Sequence, residues 1–138
     1  MITIRKYSPE DWLKIDDAAE PFFQIEQLDE FTKRGLALTA LDDSVVMACG
    51  GVVCVNDDEG IVWVKVSSKC RQQAYRWART IREVFCIIMK SLGHMTIITY
   101  VLDKFRKGET LARSIGMSKS GEVYEFNGNI YNKYMVIT

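Results

Sequence analysis

The chain has 138 residues, which gives room for one domain with one hydrophobic core. Hydrophobic residues make up 48% of the sequence and charged residues 26%, as is usual for a soluble globular protein. No apolar run approaches the roughly 20 residues that a membrane-spanning helix needs. The segment Met1–Lys6 lacks the apolar core of a signal peptide. These features exclude an integral membrane protein and predict a protein that stays in the cytoplasm.

Charge is balanced overall but unevenly divided along the chain. Residues Met1–Gly60 carry 5 Lys and Arg against 13 Asp and Glu, whereas Ile61–Thr138 carry 13 against 5. This division indicates either two surfaces with different partners, a basic one for phosphates and an acidic one for a cation, or two halves that neutralise each other within one small domain.

The four cysteines and the single histidine do not form a metal-binding pattern. None of the cysteines belongs to a C-x-x-C pair, so no metal site is predicted. Cys49, Cys54 and Cys86 lie in apolar segments and are predicted to be buried free thiols. Cys70 stands at a predicted helix start, where a thiolate is favoured. His94 follows a predicted helix end, where the helix dipole favours a cation.

The first half of the chain predicts a strand, two helices and a three-stranded meander. Ile2–Lys6 alternates apolar and polar residues, as a half-buried strand does. Ser8 is a predicted cap for a helix that has Pro9 at its first position. That helix is expected to run to about Glu20, before Pro21, and an acidic helix follows at Gln24–Arg34. The meander strands are Leu36–Leu41, Val45–Val55 and Ile61–Val66, and Gly50-Gly51 predicts a bulge or a close backbone approach.

The second half predicts the longest helix, a central strand, a shorter helix and a hairpin. The long helix, Cys70–Leu92, has apolar residues at helical spacing: Ala74, Trp77, Ala78, Ile81, Val84, Phe85, Ile88 and Leu92. Met95–Val101 is apolar enough to be a central strand. A helix capped by Asp103 is expected to end at Gly116, with Leu111, Ala112 and Ile115 on its inner face. Strands at Met117–Phe126 and Asn129–Ile137 flank Asn127-Gly128, a strong hairpin signal.

This order of elements predicts the α/β (α+β) fold class. We expect a central mixed, mostly antiparallel sheet of about seven strands, flanked by about four helices, in a single domain spanning residues 1–138. The long helix joins two strands that should therefore run parallel, through a right-handed crossover.

The order also resembles the GNAT (Gcn5-related N-acetyltransferase) fold, and the resemblance covers the whole chain. Pro9-Glu10-Asp11 is similar to the start of the first helix in that family, and the meander leads into Ile61–Val66. Arg71–Arg76 stands at the turn into the long helix. Leu111–Met117 is similar to the closing helix of the family, which ends in glycine followed by an apolar residue. The ending Ser114-Ile115-Gly116 also resembles small GNAT-like proteins of short-tailed bacteriophages.

The resemblance implies that acetyl-CoA binds, as a substrate, at the start of the long helix. In the family, the strand before this helix diverges from the next strand and the pantetheine arm pairs with its backbone. The pyrophosphate lies on the amides of the helix N-terminus. The implied cofactor-binding residues are Val64, Val66, Arg71, Gln72, Gln73, Ala74, Tyr75 and Arg76. Ala74 stands where the family has glycine, and Arg76 where it has glycine or alanine.

The catalytic residues of the family are not matched, so the catalytic residues of this chain stay unknown. Acetyl transfer needs a neutral amine and an acid for the departing thiolate. Ala112 occupies the place of the tyrosine that serves as this acid in many members, and Phe105 falls near the place of a common asparagine. Glu59, expected at the mouth of the diverging strand, could act as a base, or it could be a turn acid. Tyr124 could face the acceptor cleft, or it could be a packing aromatic.

Two functions of different classes are therefore predicted. The first is an acetyl-CoA-dependent N-acetyltransferase that acts on a primary amine of a small molecule or a protein. The second is a catalytically degenerate GNAT-like protein that contacts a phage or host protein, as a virion assembly component or a host-factor binder. Nucleic-acid binding through Arg71, Arg76, Arg79 and Arg82 is disfavoured by the zero net charge and by the lack of a known reader motif. No membrane partner is predicted.

Overall fold

A seven-stranded mixed sheet forms the centre of the protein. The computed structural model describes residues 1–15 and 35–138. The strands are β1 (Ile2–Lys6), β2 (Gly35–Asp42), β3 (Val45–Cys54), β4 (Glu59–Val66), β5 (Thr96–Leu102), β6 (Ser118–Phe126) and β7 (Asn129–Ile137). Each lies within two residues of its predicted bounds, so the predicted strands are confirmed. The predicted helix Gln24–Arg34 and the end of the first helix at Glu20 lie outside the described residues.

Three α-helices are described. They are α1 (Pro9–Leu13), α2 (Ala74–Leu92) and α3 (Arg106–Ser114), and a 3₁₀ segment, Ser68–Gln73, precedes α2. Ser8 is the N-cap of α1 and Pro9 its first residue, as predicted. The predicted start of the long helix at Cys70 is wrong, because the chain first makes the 3₁₀ turn. The predicted cap at Asp103 is also wrong, because Phe105 occupies the N-cap position of α3.

The strand order in the sheet is β1-β2-β3-β4-β5-β7-β6. Every neighbouring pair is antiparallel except β4 and β5, which run parallel. The 3₁₀ segment and α2 connect these two strands, and a long crossover of this kind is what a parallel pair requires. The predicted parallel crossover is therefore confirmed.

The two faces of the sheet carry different helices. The larger core cluster joins α2 and α3 to one face, and its buried α2 residues are Ile81, Phe85, Ile88 and Met89. On the opposite face α1 contributes Trp12, which lies in a second cluster with Tyr7 and Trp63. Two members of the predicted α2 stripe, Ala74 and Ala78, are exposed, and both lie in the first two turns of α2.

The paired glycines of β3 mark a close backbone approach. A Cβ atom added to Gly51 would lie 2.1 Å from the carbonyl oxygen of Leu36 in β2. The only register shift between β2 and β3 falls between Ala40 and Leu41, so the bulge lies away from the glycines. Of the two predicted meanings of Gly50-Gly51, close approach is confirmed.

The four cysteines are free thiols with different exposures. Cys49 and Cys70 are buried, Cys54 is half-buried, and Cys86 is exposed on the outer side of α2. The prediction that Cys86 is buried is wrong, because its position on α2 falls outside the apolar stripe. Cys70 Sγ lies 3.6 Å from the backbone oxygen of Met47, and this buried contact makes it a packed side chain.

We expect Cys86 to react first when the native protein is treated with a thiol reagent. Burial, the largest cause, and the nearby charge of Asp11 raise the pKa of the Cys49 thiol, Lys65 lowers it in part, and the net pKa is about 12. Since the thiolate is the reactive form, Cys49 should be slow. Mass spectrometry of timed samples would measure this, with Cys86→Ser as the matched control. Equal labelling of Cys49 and Cys86 would contradict the described burial.

The described residues contain neither a candidate membrane-spanning helix nor a candidate metal-binding cluster. In residues 1–15 and 35–138, no helix is both long enough and apolar enough to cross a membrane. Within the same ranges, no three His, Cys, Asp or Glu side chains are grouped so that they could hold a metal ion.

Candidate functional site

The parallel strands β4 and β5 are paired along only part of their length. Three residue pairs join them, ending with Ile61 opposite Ile98. Beyond Ile61 the described sheet shows no pair between these strands, while β4 stays paired with β3 as far as Val66. The strands thus separate toward the start of α2, and we call this opening the fork. It corresponds to the diverging strand pair that the resemblance to the GNAT fold implies.

A side chain closes the bottom of the fork. The hydroxyl of Thr99 in β5 donates a hydrogen bond to the backbone oxygen of Val62 in β4, at 3.1 Å. This bond takes the place of the next ladder bond after Ile61. It also shows that the carbonyl of Val62 points into the fork.

The backbone of Val64 and Val66 also faces the fork. In an antiparallel ladder the N–H and C=O of one residue point to the same side, and successive residues alternate. Because the carbonyl of Val62 points toward β5, Val64 and Val66 turn their backbone groups the same way. No β5 residue pairs with either one in the described sheet. Two predicted cofactor-binding residues therefore offer unpaired strand backbone to a ligand.

Some backbone N–H groups of the segment between β4 and α2 are already hydrogen-bonded within the segment. The Cys70 N–H donates to the backbone oxygen of Ser67 at 3.1 Å, and the Lys69 N–H donates to Ser67 Oγ at 3.2 Å. Arg71, Gln72 and Gln73 complete the 3₁₀ turn, and their side chains are exposed. This part of the predicted phosphate loop is therefore a short helix instead of an open loop, and Arg71 contributes an exposed cationic side chain.

The first turn of α2 has backbone and side-chain groups that favour an anion. Tyr75 and Arg76 are its second and third residues, whose N–H groups have no acceptor inside an α-helix. The side chain of Gln73 does not cap them. Instead its Oε1 accepts a hydrogen bond from Arg76 Nη1 at 2.8 Å, which keeps the guanidinium beside this helix end. Since this turn contains no acidic residue, the helix dipole and Arg76 both favour an anion here.

Ala74 does not need the conformational freedom of glycine. Its φ is −57° and its ψ is −41°, which are ordinary helical values for any residue. A glycine at this place is therefore not needed for the backbone conformation, and its effect would be to leave more room beside the helix end. Ala74 fills part of that room with one exposed methyl group. The substitution narrows the approach to the α2 N-terminus without straining the backbone.

The opposite face of the sheet carries an aromatic pair beside the fork. Tyr100 lies two positions after Ile98, the last β5 residue that is paired with β4, and alternation places it on the face opposite Thr99. Its ring centroid lies 5.6 Å from that of Tyr124 in β6. Tyr124 is about half-exposed. The structure therefore places Tyr124 beside the open half of β5, and its contact with an acceptor stays a prediction.

Glu59 does not lie at the mouth of the fork. It pairs with Thr96 at the closed end, about 20 Å of extended chain from Val66. There it lines a cavity of about 530 Å³ together with Asp58 and Lys133. The prediction that Glu59 stands at the mouth is wrong, because β4 begins at Glu59 and diverges only after Ile61.

The family positions on α3 hold no polar side chain. Ala112 is buried against the sheet, and Phe105 is partly exposed at the N-cap position. Asp103, just before this helix, accepts a hydrogen bond from Asn132 Nδ2 at 3.0 Å. The described side chains between the end of β5 and the start of α3 thus make structural contacts. None of them is identified as the acid for the departing thiolate.

Two site features were missed by the sequence reasoning. Thr99 forms the bottom of the fork, and Lys65 joins the open half of β4 to α1. Lys65 Nζ donates to the backbone oxygen of Trp12 at 3.0 Å and lies 4.6 Å from the centre of its ring. Alternation in β4 places Lys65 on the same face as Trp63, and this was the available signal.

Comparisons with known proteins address the fold. No protein-family model and no curated protein matches the sequence. Among solved structures, the ribosomal-protein-S18-alanine N-acetyltransferase from Escherichia coli superposes with a TM-score of 0.78 at 15% identity, covering 99% of this chain and 94% of that one. The chain has the GNAT fold. Ard1 from Thermoplasma volcanium gives a TM-score of 0.76 at 13% identity, over 99% and 97% of the two chains.

A third structure extends the comparison. An acetyltransferase of the GNAT family from Streptococcus pneumoniae has a TM-score of 0.71 at 10% identity, over 99% of both chains. At such identities the likeness establishes the GNAT fold alone. It gives no support to the narrower resemblance to phage-encoded proteins.

Proposed function

We propose that this protein is an acetyl-CoA-dependent N-acetyltransferase that acts on a primary amine of a small molecule or a protein. The observation that carries the proposal is the fork, in which Val64 and Val66 turn unpaired backbone groups toward β5. The fork opens toward the N-terminus of α2, which has no side-chain cap. A ligand that fits both needs an extended amide-bearing arm and an anionic group.

The described residues fit acetyl-CoA in two places. The pantetheine arm would pair with Val64 and Val66 as an added strand. The pyrophosphate would lie at the first turn of α2, where charge-assisted hydrogen bonds from Arg71 and Arg76 would supplement the amides. Bound there, acetyl-CoA supplies an acetyl thioester, and the protein positions its carbonyl carbon for attack by the amine. The arginines compensate for amides that the 3₁₀ segment uses.

The second candidate is a GNAT-fold protein that works through contacts with a protein partner. One observation favours it, namely that the amides of Lys69 and Cys70 are already bonded to Ser67. It shares the fold of the first candidate and differs in one measurable property, the binding of CoA.

Thermal unfolding in the presence of CoA and of acetyl-CoA tests the proposal directly. A ligand present at 100 times its dissociation constant stabilises the folded state by about 2.7 kcal/mol. We therefore expect a clear rise in melting temperature with both compounds. ADP serves as a control, because it carries the pyrophosphate but lacks the arm that enters the fork. Unchanged melting at millimolar CoA would refute the transferase and favour the second candidate.

We expect the replacement of Arg71 or Arg76 by alanine to weaken CoA binding about tenfold each. A hydrogen bond to a charged group contributes about 1.5–3 kcal/mol, and a factor of ten corresponds to about 1.4 kcal/mol. Arg82→Ala is the matched control, because Arg82 is exposed on the same helix but lies beyond the first turn. Calorimetric dissociation constants would be compared. Equal losses in all three variants would indicate a general charge effect and contradict a localised phosphate site.

The acceptor is identified by a panel of amines. Acetyl-CoA would be mixed with the protein and with peptides bearing a free N-terminus, lysine peptides or linear polyamines, and the released thiol would be measured. Release that depends on one class of amine names the acceptor class. CoA binding without release from acetyl-CoA would retain the cofactor site and refute the transfer.

A further inference from the structure

A tyrosine at the N-terminal end of α2 is almost completely exposed. Tyr75 is the second residue of this helix, and 95% of its surface is exposed, the highest value among the large hydrophobic residues of the described chain. By contrast, Tyr7 and Tyr134 are buried, and Tyr124 is about half-exposed. The ring of Tyr75 is thus open to a ligand that brings a flat apolar surface of its own.

The helix directs this ring toward the proposed phosphate site. The buried stripe of α2 begins at Trp77, and two residues correspond to about 200° around an α-helix, so Tyr75 lies on the outer side. Side chains of an α-helix also lean toward its N-terminus. The ring of Tyr75 therefore extends toward the end of α2 where Arg71 and Arg76 are exposed.

The arginines of α2 nearest to Tyr75 are held by other side chains. Arg76 Nη1 donates a hydrogen bond to Gln73 Oε1 at 2.8 Å. Arg79, one turn after Tyr75, donates from Nε to Glu83 Oε1 at 3.1 Å, so its guanidinium is turned toward the following turn of the helix. These contacts keep the cations close to the helix end and leave the ring of Tyr75 uncovered.

The adenine of CoA needs a surface of this kind. With the pantetheine arm beside Val64 and Val66 and the pyrophosphate at the first turn of α2, the adenosine lies beyond the phosphates and outside the fork. Neither described cavity can take it. The cavity at Glu59 lies at the closed end of the fork, and the cavity beside Thr80 has a volume of about 30 Å³, room for about two water molecules. An exposed aromatic ring can hold the base, because every base has a flat π face.

We propose that the adenine ring of CoA stacks on Tyr75, an inference that rests on the proposed transferase function. The stack fixes the nucleotide end of the donor, while the fork holds the arm and the arginines hold the phosphates. It also selects the donor. An acetyl group on the phosphopantetheine of a carrier protein has the same arm and one phosphate but no adenine. The protein therefore takes free acetyl-CoA in preference to a carrier-bound acetyl group.

Calorimetry with CoA and with 4′-phosphopantetheine tests the inference, because the second compound keeps the arm and one phosphate but lacks the nucleotide. In Tyr75→Ala we expect CoA to bind about tenfold more weakly, as is typical for the loss of one base–aromatic stack. Phosphopantetheine should bind as it does to the wild type. Tyr75→Phe keeps the ring and should bind both compounds as the wild type does. Both variants should fold, because the side chain is exposed.

Nuclear magnetic resonance gives a second readout that a contact with phosphate would not produce. Stacking moves the adenine H2 and H8 signals upfield through the ring current of Tyr75. It also brings these protons close enough to the tyrosine ring protons for nuclear Overhauser effects. Both signals should appear with the wild type and vanish with Tyr75→Ala, and the upfield shift should persist with Tyr75→Phe.

Ile87→Ala is the matched control, because Ile87 is an exposed apolar residue of the same helix, about three turns beyond Tyr75. Unchanged CoA affinity in Tyr75→Ala, or an equal loss in Ile87→Ala, would overturn the inference and leave the transferase intact. Equal losses for CoA and phosphopantetheine in Tyr75→Ala would also overturn it, since Tyr75 would then act on the phosphate or the helix end. If the wild type bound neither compound, the proposed function would fail instead, so the two failures are distinguishable.

Discussion

Replacing Asp11 by alanine is expected to lower the free energy of unfolding by about 3 kcal/mol. Asp11 is buried, and both oxygens of its carboxylate are bonded. Arg5 donates two hydrogen bonds, at 2.7 and 2.8 Å, the Ser8 N–H donates one at 2.9 Å, and the hydroxyl of Thr39 donates one at 2.8 Å. Arg5 is partly exposed and can turn to water after the change. The hydroxyl of Thr39 cannot, because Thr39 is fully buried, so most of the loss comes from donors left unpaired.

The contribution of Asp11 should depend on pH. Burial alone would raise the pKa of this carboxyl, but the hydrogen bonds from Arg5, Ser8 and Thr39, together with the charge of Arg5, lower it from 3.8 to about 2. A group whose pKa is lowered by folding stabilises the protein above its unfolded pKa, and this stabilisation is lost as the pH falls toward the folded value. The difference between the wild type and Asp11→Ala should therefore be constant above about pH 5 and shrink between pH 4 and pH 2.

Urea unfolding across this pH range would measure the effect. Glu10→Ala is the matched control, because Glu10 is an exposed acid in the same turn of α1. We expect its change in unfolding free energy to stay within about 0.5 kcal/mol. A comparable loss in the Glu10 and Asp11 variants would mean that helix-dipole effects, and not the buried network, account for the stabilisation.

Replacing Gly51 by alanine is expected to destabilise the protein by about 3 kcal/mol or more. The added Cβ would lie 2.1 Å from the backbone oxygen of Leu36 and 2.7 Å from the Cα of Ala37. Both are main-chain atoms of β2, which is itself held by β1, so they cannot move as a flexible side chain would. Overpacking usually costs about 1–3 kcal/mol and more where the neighbours cannot yield.

Gly93→Ala separates this effect from the general cost of replacing glycine. Gly93 has a φ of +77°, and an added Cβ would meet no heavy atom within 4 Å. Its change should cost about 1–3 kcal/mol, from backbone strain alone, because a φ of +77° with a ψ of −142° is a conformation that is adopted almost only by glycine. Both variants would be compared by urea unfolding. If Gly51→Ala proved no worse than Gly93→Ala, the spacing of β2 and β3 would be more adaptable than the described contact allows.

The strands were predictable because their sequence signals are local. Alternation in Ile2–Lys6 and the turn residues Asn127-Gly128 each specify backbone geometry over a few residues, and tertiary packing agrees with them. Helix starts were less accurate. The Ser68–Gln73 segment forms a 3₁₀ helix, with hydrogen bonds between residues three positions apart. Whether this segment is 3₁₀ or α-helical depends on where β4 ends, which the composition of the segment does not reveal.

The candidate site was predictable only in part. The diverging strand and the Arg71–Arg76 region were implied by the resemblance to the GNAT fold, which rests on the order of the elements. The predicted position of Glu59 at the mouth of the fork was wrong, because the point where the strands diverge depends on how many residue pairs β4 and β5 form. Thr99 went unnoticed, since its hydrogen bond to Val62 joins neighbouring strands that are far apart in the sequence. To predict contacts of this kind one needs the pairing register of the two strands, which neither strand encodes by itself.

The sparse connection between β4 and β5 divides the sheet into two mechanical units. One contains β1 to β4 and the other β5, β7 and β6, and within the sheet three residue pairs and the hydroxyl of Thr99 hold them together. An extended molecule that filled the opening would complete the ladder and couple the units into one cooperative block. Hydrogen exchange should then slow in both units at once, so occupancy of the site would be recorded by amides far from it.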